Sequence, residues 1–316
     1  MNVLVADDVS KRYGDTVALA GVSLSVSEGE VFGLVGPNGA GKTTLVRALT
    51  GTTRAEGTVT LWGESPHAVD RERIGLLPQS FAPPDRLTAR ELVDYYAGLY
   101  DYARDTDELL ETVGMADDCD THYENLSGGQ KRRTCVAATL VNDPDLLLLD
   151  EPTTGIDPAG RRALWETLRD LATSGTTIFL TTHYMEEAHE LADRVGLLAE
   201  GDLVAVDSPE ALIRDHGGES LLYVDGEFED GVEDVPALAN LPYETSVDDG
   251  RLTVRDVRPE AIGDVASTLA EAEIPYDSLT WTEPDLEDVY LELTGKRHAG
   301  EDARPGNTET TARGQS

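Results

Sequence analysis

Val31-Phe32-Gly33-Leu34-Val35 runs directly into Gly36-Pro37-Asn38-Gly39-Ala40-Gly41-Lys42-Thr43-Thr44. The first five residues are apolar and partly β-branched, the pattern of a buried strand. The next stretch has the spacing Gly-x-x-x-x-Gly-Lys-Thr, and helical spacing follows over residues 44–49. A strand, a glycine-rich turn and a helix form the setting in which such a loop binds phosphate. Glycines let backbone N–H groups converge on anionic oxygens at a helix start, where the dipole favours negative charge. Gly36, Asn38, Gly39, Gly41 and Thr44 are expected to line a nucleoside triphosphate. Lys42 is expected to reach its β- and γ-phosphates, and the Thr43 hydroxyl a Mg²⁺ ion.

A second apolar run, Leu146-Leu147-Leu148-Leu149, ends in Asp150-Glu151-Pro152. Its length and composition predict a buried strand. An acid at the end of such a strand completes a phosphate-loop ATPase, with Asp150 holding Mg²⁺ through water. Glu151 then stands beside the γ-phosphate, where a carboxylate can orient or deprotonate the attacking water. A helix cap or a surface acid is the competing reading in so acidic a chain. The Asp-Glu-Pro sequence next to a phosphate loop favours the catalytic one.

The chain has 316 residues, 61 acidic and 25 basic, for a net charge of −36. That balance argues against a nucleic-acid binder, which needs a basic face for phosphates. Hydrophobic content of 40% argues against a disordered acidic chain. Such self-repulsion is tolerable in strong salt, where the Debye length falls to about 3 Å at 1 M. The composition therefore reads as that of a halophile's cytoplasmic protein. Residues 1–10 lack the basic and apolar regions of a signal peptide, and no window approaches the ~20 apolar residues that span a bilayer. Any membrane span is expected to come from another chain. Cys119, His122 and Cys135 form a loose cluster without a fourth zinc ligand, so packing is the simpler reading.

Strands are predicted at residues 3–9, 22–26, 31–35, 57–62, 74–77, 146–149, 178–181, 195–198 and 203–206. Helical patterns fill residues 88–140, 158–172 and 186–192. The alternation points to a mainly parallel sheet covered by helices on both faces. Composition shifts at His216-Gly217-Gly218-Glu219, and a smaller α+β region is predicted at residues 217–295. Residues 296–316 have no apolar period and read as a disordered tail.

Between the two phosphate-site motifs lies Leu126-Ser127-Gly128-Gly129-Gln130. With them, in this order, it resembles the nucleotide-binding subunits of ATP-binding cassette (ABC) machines. The resemblance covers about residues 1–216 and implies an ABC-type phosphate-loop fold. That fold has a mainly parallel core, an antiparallel β subdomain and a helical subdomain at about residues 85–140. It also implies ATP and Mg²⁺ as ligands. Tyr13 matches the aromatic that stacks on adenine, and Gln79 the glutamine that touches the metal and reports to the membrane partner. Ser127 and Gly129 match residues that contact the γ-phosphate bound to the other subunit, and Gln130 closes that nucleotide-binding motif. Asp157, in Gly155-Ile156-Asp157, belongs to the loop that crosses between subunits, and His183 matches the switch histidine on the γ-phosphate. Ile156 stands where the family more often has Leu.

In this family the signature motif serves the partner's nucleotide, so two chains must pair head to tail. The second chain is another copy or a homologous subunit. Asp85-Arg86-Leu87-Thr88-Ala89-Arg90-Glu91-Leu92 and Glu283-Pro284-Asp285-Leu286-Glu287-Asp288-Val289-Tyr290-Leu291-Glu292-Leu293-Thr294-Gly295 look like the ATPase subunits of ABC-2 type exporters, such as the daunorubicin-type drug exporters. That likeness implies integral-membrane permease partners, no nucleic acid, and a peripheral place on the inner face of the cell membrane. A soluble non-transport ATPase and an importer subunit are the alternatives. Residues 221–295 are expected to serve assembly or regulation and to take no part in hydrolysis.

Overall fold

The computed structural model describes residues 1–226, 228, 242–248, 250–272 and 274–295. The expected disordered tail, 296–316, lies outside the described residues. The chain opens with β1 (Asn2–Tyr13) and β2 (Thr16–Ser27), followed by β3 (Val31–Val35), α1 (Lys42–Leu49) and β4 (Glu56–Leu61). β2, β1 and β4 make an antiparallel sheet. β1 and β2 are longer than their apolar patterns suggest. Their ladder shifts register at several points, and Asp8 adopts a positive φ of 51°. Each bulge resets which side chains face inward, so strict alternation is lost from the sequence.

β5 (Ile74–Leu77) precedes a helical segment made of α2 (Ala89–Ala97), α3 (Thr106–Thr112) and α4 (Gly128–Thr139). Then come β6 (Leu146–Asp150), α5 (Pro158–Thr173), β7 (Thr177–Thr182), α6 (Met185–Leu191), β8 (Arg194–Ala199) and β9 (Asp202–Asp207). The second sheet has the order β5-β6-β7-β3-β8-β9, parallel except for β9.

The core follows from the two-residue period of those strands. Leu146, Leu148, Phe32 and Phe179 face one side with Leu45 of α1, where the two phenylalanine rings stack at 5.6 Å. Leu147, Leu149, Ile178 and Leu180 face the other, with Leu164 and Leu168 of α5 and Val136 of α4. Both faces of the parallel strands are covered, so their sequences read as unbroken apolar runs.

After α7 (Pro209–His216) come β10 (Leu221–Asp225), β11 (Thr245–Asp248), β12 (Arg251–Arg255), α8 (Ile262–Glu271), β13 (Ser278–Thr282) and α9 (Leu286–Thr294). The four strands form an antiparallel sheet, and Leu222, Val224, Leu252 and Val254 pack with Val265 and Leu269 of α8. α9 leaves this unit. Its Leu286 and Val289 are buried in the same cluster as Leu212 of α7 and Ala188 of α6. The last helix therefore packs into the core built by the earlier strands and helices, while β10–β13 form a sheet of their own. No helix among the described residues is long and apolar enough to cross a membrane.

Candidate active site

Four neighbouring strands, β5, β6, β7 and β3, each deliver a residue of interest just past their C-terminal ends. These are Gln79, the Asp150-Glu151 pair, His183 and the phosphate loop. Parallel strands place their C-terminal ends on one edge, where open α/β sheets bind ligands.

The phosphate loop is shaped by close approach. A Cβ at Gly36 would fall 2.3 Å from the Leu198 carbonyl oxygen, and one at Gly41 would fall 2.4 Å from that of Ala18. Gly41 also has φ 113°, a left-handed conformation that a side chain would strain. Asn38 and Gly39 are exposed at the loop's tip, and Thr43 and Thr44 sit half-buried in the first turn of α1. Tyr13 is exposed beside that helix, with Thr44 and Thr53 near its hydroxyl and the Lys11 ammonium 5.0 Å from its ring.

Glu151 is the meeting point. It is 4% exposed and held at φ 49°, a left-handed backbone outside glycine's usual preserve. Lys42 Nζ lies 3.2 Å from its Oε1 and donates to the Gly36 and Pro37 carbonyls at 2.7 and 3.1 Å. Gln79 Nε2 and Thr154 Oγ1 each donate to its Oε2 at 3.1 Å, and His183 Nδ1 stands 3.6 Å from the same oxygen. Burial works to raise its pKa, but the Lys42 charge and hydrogen bond, the Thr154 hydroxyl and His183 outweigh it. The carboxyl is therefore held below the usual glutamate range and stays ionised. Beside it, Asp150 is 2% exposed, and its Oδ1 accepts from the Thr181 hydroxyl at 2.6 Å.

Three contributors escape sequence reasoning. Arg132 of α4 is desolvated enough to lower its pKa, yet an arginine remains charged. It donates to the carbonyls of Asp150, Glu151 and Pro152 at 2.8–2.9 Å and pins the strained backbone around Glu151. Thr181 receives the Glu151 N–H as well as orienting Asp150. Thr154 completes the shell around Glu151. The only advance signals are a basic residue four beyond Gly128 and hydroxyls at the ends of apolar runs.

A family model described as "ABC transporter" matches residues 19–154. The daunorubicin resistance ATP-binding protein DrrA3 of Streptomyces coeruleorubidus is 40% identical over 309 residues, covering 92% of this chain and 96% of that protein. The chain belongs to the ABC transporter ATP-binding subunits. The linearmycin resistance ATP-binding protein LnrL of Bacillus subtilis (strain 168) is 35% identical, covering 93% of this chain and 99% of that one. The dimeric structure of MJ0796, a bacterial ABC transporter cassette, superimposes with TM-score 0.58 at 27% identity. It matches 65% of this chain and 98% of the cassette. The same cassette, described as a post-hydrolysis dimer bound to ADP and Pi, is 25% identical with TM-score 0.58.

This ABC subunit is an ATPase, and the signature motif packs on its own neighbours. Ser127 is exposed at the N-cap of α4. Its hydroxyl accepts the Gln130 N–H, Gln130 Oε1 accepts the Ser127 N–H, and Gln130 Nε2 reaches Asp118 at 2.6 Å. A Cβ on Gly129 would lie 3.5 Å from both Asp157 Oδ1 and the Gly160 Cα. The signature motif and the Gly155–Asp157 loop are thus packed as one surface. Among the described residues, no hydrogen bond or ion pair joins that surface to the phosphate loop. Cys119 and Cys135, set aside above as zinc ligands, lie by Arg90 Nη2 at 3.0 Å and the Tyr123 hydroxyl at 3.3 Å.

Proposed function

We propose that this ABC ATPase energises a membrane exporter by hydrolysing ATP between two head-to-tail subunits. The observation that carries this reading is the Glu151 carboxylate, on which Lys42, Gln79, Thr154 and His183 converge. Lys42 donates its ammonium to two loop carbonyls and faces Glu151. A triphosphate offers it stronger, doubly charged acceptors. Lys42 then turns from Glu151 to the β- and γ-phosphates, and the carboxylate is freed to accept a proton from water. His183 contacts the γ-phosphate, and Tyr13 stacks on adenine.

The donor set fits Mg²⁺. The Thr43 hydroxyl, Asp150 and Gln79 are hard oxygen ligands in small number, and Mg²⁺ keeps several waters and takes its other oxygens from phosphates. When bound, the ion neutralises charge on the β- and γ-oxygens. The exposed Ser127, with Gly129, faces the other subunit's γ-phosphate, so each copy completes its partner's site.

Contact with a permease has a physical route. Gln79 bonds Glu151, and two residues on Phe81 packs on Tyr96 of α2 at 5.5 Å. Tyr96 meets Tyr95 edge-on, and Tyr95, Leu99 and Tyr102 are 57%, 62% and 72% exposed. An apolar patch joined to the hydrolytic centre suits a membrane-protein partner. Among the described residues of 221–295, none places a side chain on Glu151. We assign them to assembly or regulation, supported by a cavity of about 920 Å³ between the phosphate loop, His183 and α9.

Resemblance to the daunorubicin and linearmycin resistance ATP-binding proteins favours export over import. Affinity purification from native membranes tests it. An integral-membrane protein should accompany the chain in fixed ratio and raise its ATPase rate. Recovery of the chain alone, fully active, would leave the soluble-ATPase reading. The charge of −36 also favours a salty working solvent. We expect the thermal midpoint to rise steadily from dilute buffer into molar KCl as repulsion is screened. A midpoint indifferent to salt would remove the halophilic reading.

A further inference from the structure

Five buried side-chain polar atoms among the described residues lack a hydrogen-bond partner. Four of them, Thr153 Oγ1, Arg161 Nε, His183 Nδ1 and Glu187 Oε2, belong to side chains around α5 and the start of α6. Glu187 is the unexpected member. It is a carboxyl with 0% exposure, three residues past Tyr184, and nothing in the hydrolytic reaction described above uses it.

Its surroundings are specific. Trp165 Nε1 donates to Glu187 Oε1 at 2.9 Å. Burial raises the carboxyl's pKa, with the Trp165 hydrogen bond and the Arg161 charge opposing it. The side chains around it come from three segments, two of them sharing α5. Thr182 precedes His183. Thr153 lies two residues past Glu151. Arg161 and Trp165 sit one turn apart on α5, whose first residue follows Asp157 of the subunit-crossing loop. Arg161 also lies 4.1 Å from the centroid of the Tyr184 ring, which in turn packs 4.1 Å from the His183 ring. One face of α5 therefore grips the start of α6 twice.

We propose that Glu187 is a positioning residue for ATP hydrolysis. Through the Trp165 hydrogen bond it locks the start of α6, next to His183, onto α5, the helix that follows the crossing loop, while Arg161 on the same face of α5 holds Tyr184. The inference rests on His183 acting at the γ-phosphate. An apolar residue here would leave the indole N–H buried without its acceptor. With the carboxyl in place, displacement of the crossing loop by a partner subunit moves α5, and α5 moves His183, because packed interiors transmit strain.

The test uses the full chain with Mg-ATP, measuring ATP affinity, kcat and melting temperature. Glu187→Ala should lower kcat by about 10- to 100-fold, the scale on which small misplacements act, with ATP affinity changed less than about twofold. Glu187→Gln, which keeps an acceptor for Trp165, should recover most of the rate. Trp165→Phe should lower kcat in the same way, more mildly. In a His183→Ala background, Glu187→Ala should cause no further loss, because a positioning residue acts through the group it positions.

Wild-type kcat in a folded Glu187→Ala variant would overturn the proposal. So would equal losses in both backgrounds, which is what general destabilisation produces. If Glu187→Ala does not fold, Trp165→Phe and Glu187→Gln decide. A Trp165→Phe variant at full rate, or Glu187→Gln as slow as His183→Ala, overturns it. Full activity in His183→Ala alone would instead remove the reading of His183 on which the proposal rests.

Discussion

Glu151→Gln is expected to bind ATP and hydrolyse it about 10²–10⁴-fold more slowly, the usual loss when a positioned base is removed. The substitution is nearly isosteric. The amide can still accept from Gln79 and Thr154, so the loop pinned by Arg132 should keep its shape. What disappears is the negative charge that Lys42 faces at 3.2 Å and to which we assign acceptance of water's proton. Losing that charge also frees Lys42 for phosphate, so ATP affinity should hold or improve. With turnover stopped, ATP should accumulate between two chains. Sizing chromatography in Mg-ATP should then show a dimer that wild type forms only briefly. A variant that turns over at the wild-type rate and stays monomeric would remove Glu151 from its role.

Ser127→Arg should abolish hydrolysis, by more than about 100-fold, the scale for losing one positioned transition-state donor. Nucleotide binding by the single chain should be unchanged. The reason is spatial. Ser127 is exposed at the N-cap of α4, and its bonds run to Gln130 and not to the phosphate loop. An arginine there meets nothing within its own chain that binds phosphate, but it obstructs the face offered to a partner. Loss of the capping hydroxyl costs about 1 kcal/mol of stability, too little to unfold the domain. Fluorescent-nucleotide titration beside a phosphate-release assay separates the two effects. Weakened binding by the monomer would place Ser127 in its own chain's site.

The phosphate loop and the Asp150-Glu151 pair are legible in sequence because their chemistry is local. Glycine at 36 and 41 is dictated by carbonyls 2.3 and 2.4 Å from any added Cβ, and four leucines are dictated by burial on both faces of β6. Arg132 is not legible. It acts on carbonyls 18–20 residues away, and nothing near it in sequence says where it points. The gathering of Gln79, Glu151, His183 and Lys42 depends on the strand order β5-β6-β7-β3, which no local pattern encodes. The family resemblance named those residues, but only the sheet explains why they meet. α9 is a similar case. Its apolar spacing predicts a helix, yet its burial against α6 and α7 is a tertiary fact. β11 is too short, and too polar at Thr245 and Ser246, to stand out as a strand.

Two chains sharing two sites is the central requirement, and one mixture tests it. Ser127→Arg keeps an intact phosphate loop, whereas Lys42→Ala keeps an intact signature surface. Each alone should be inactive. In a one-to-one mixture, half the dimers should pair one of each and hold one complete site. The expected ATPase is about a quarter of wild type if the sites act independently and pairing is random. A mixture as inactive as its components would contradict the shared site, as would full activity in either variant alone.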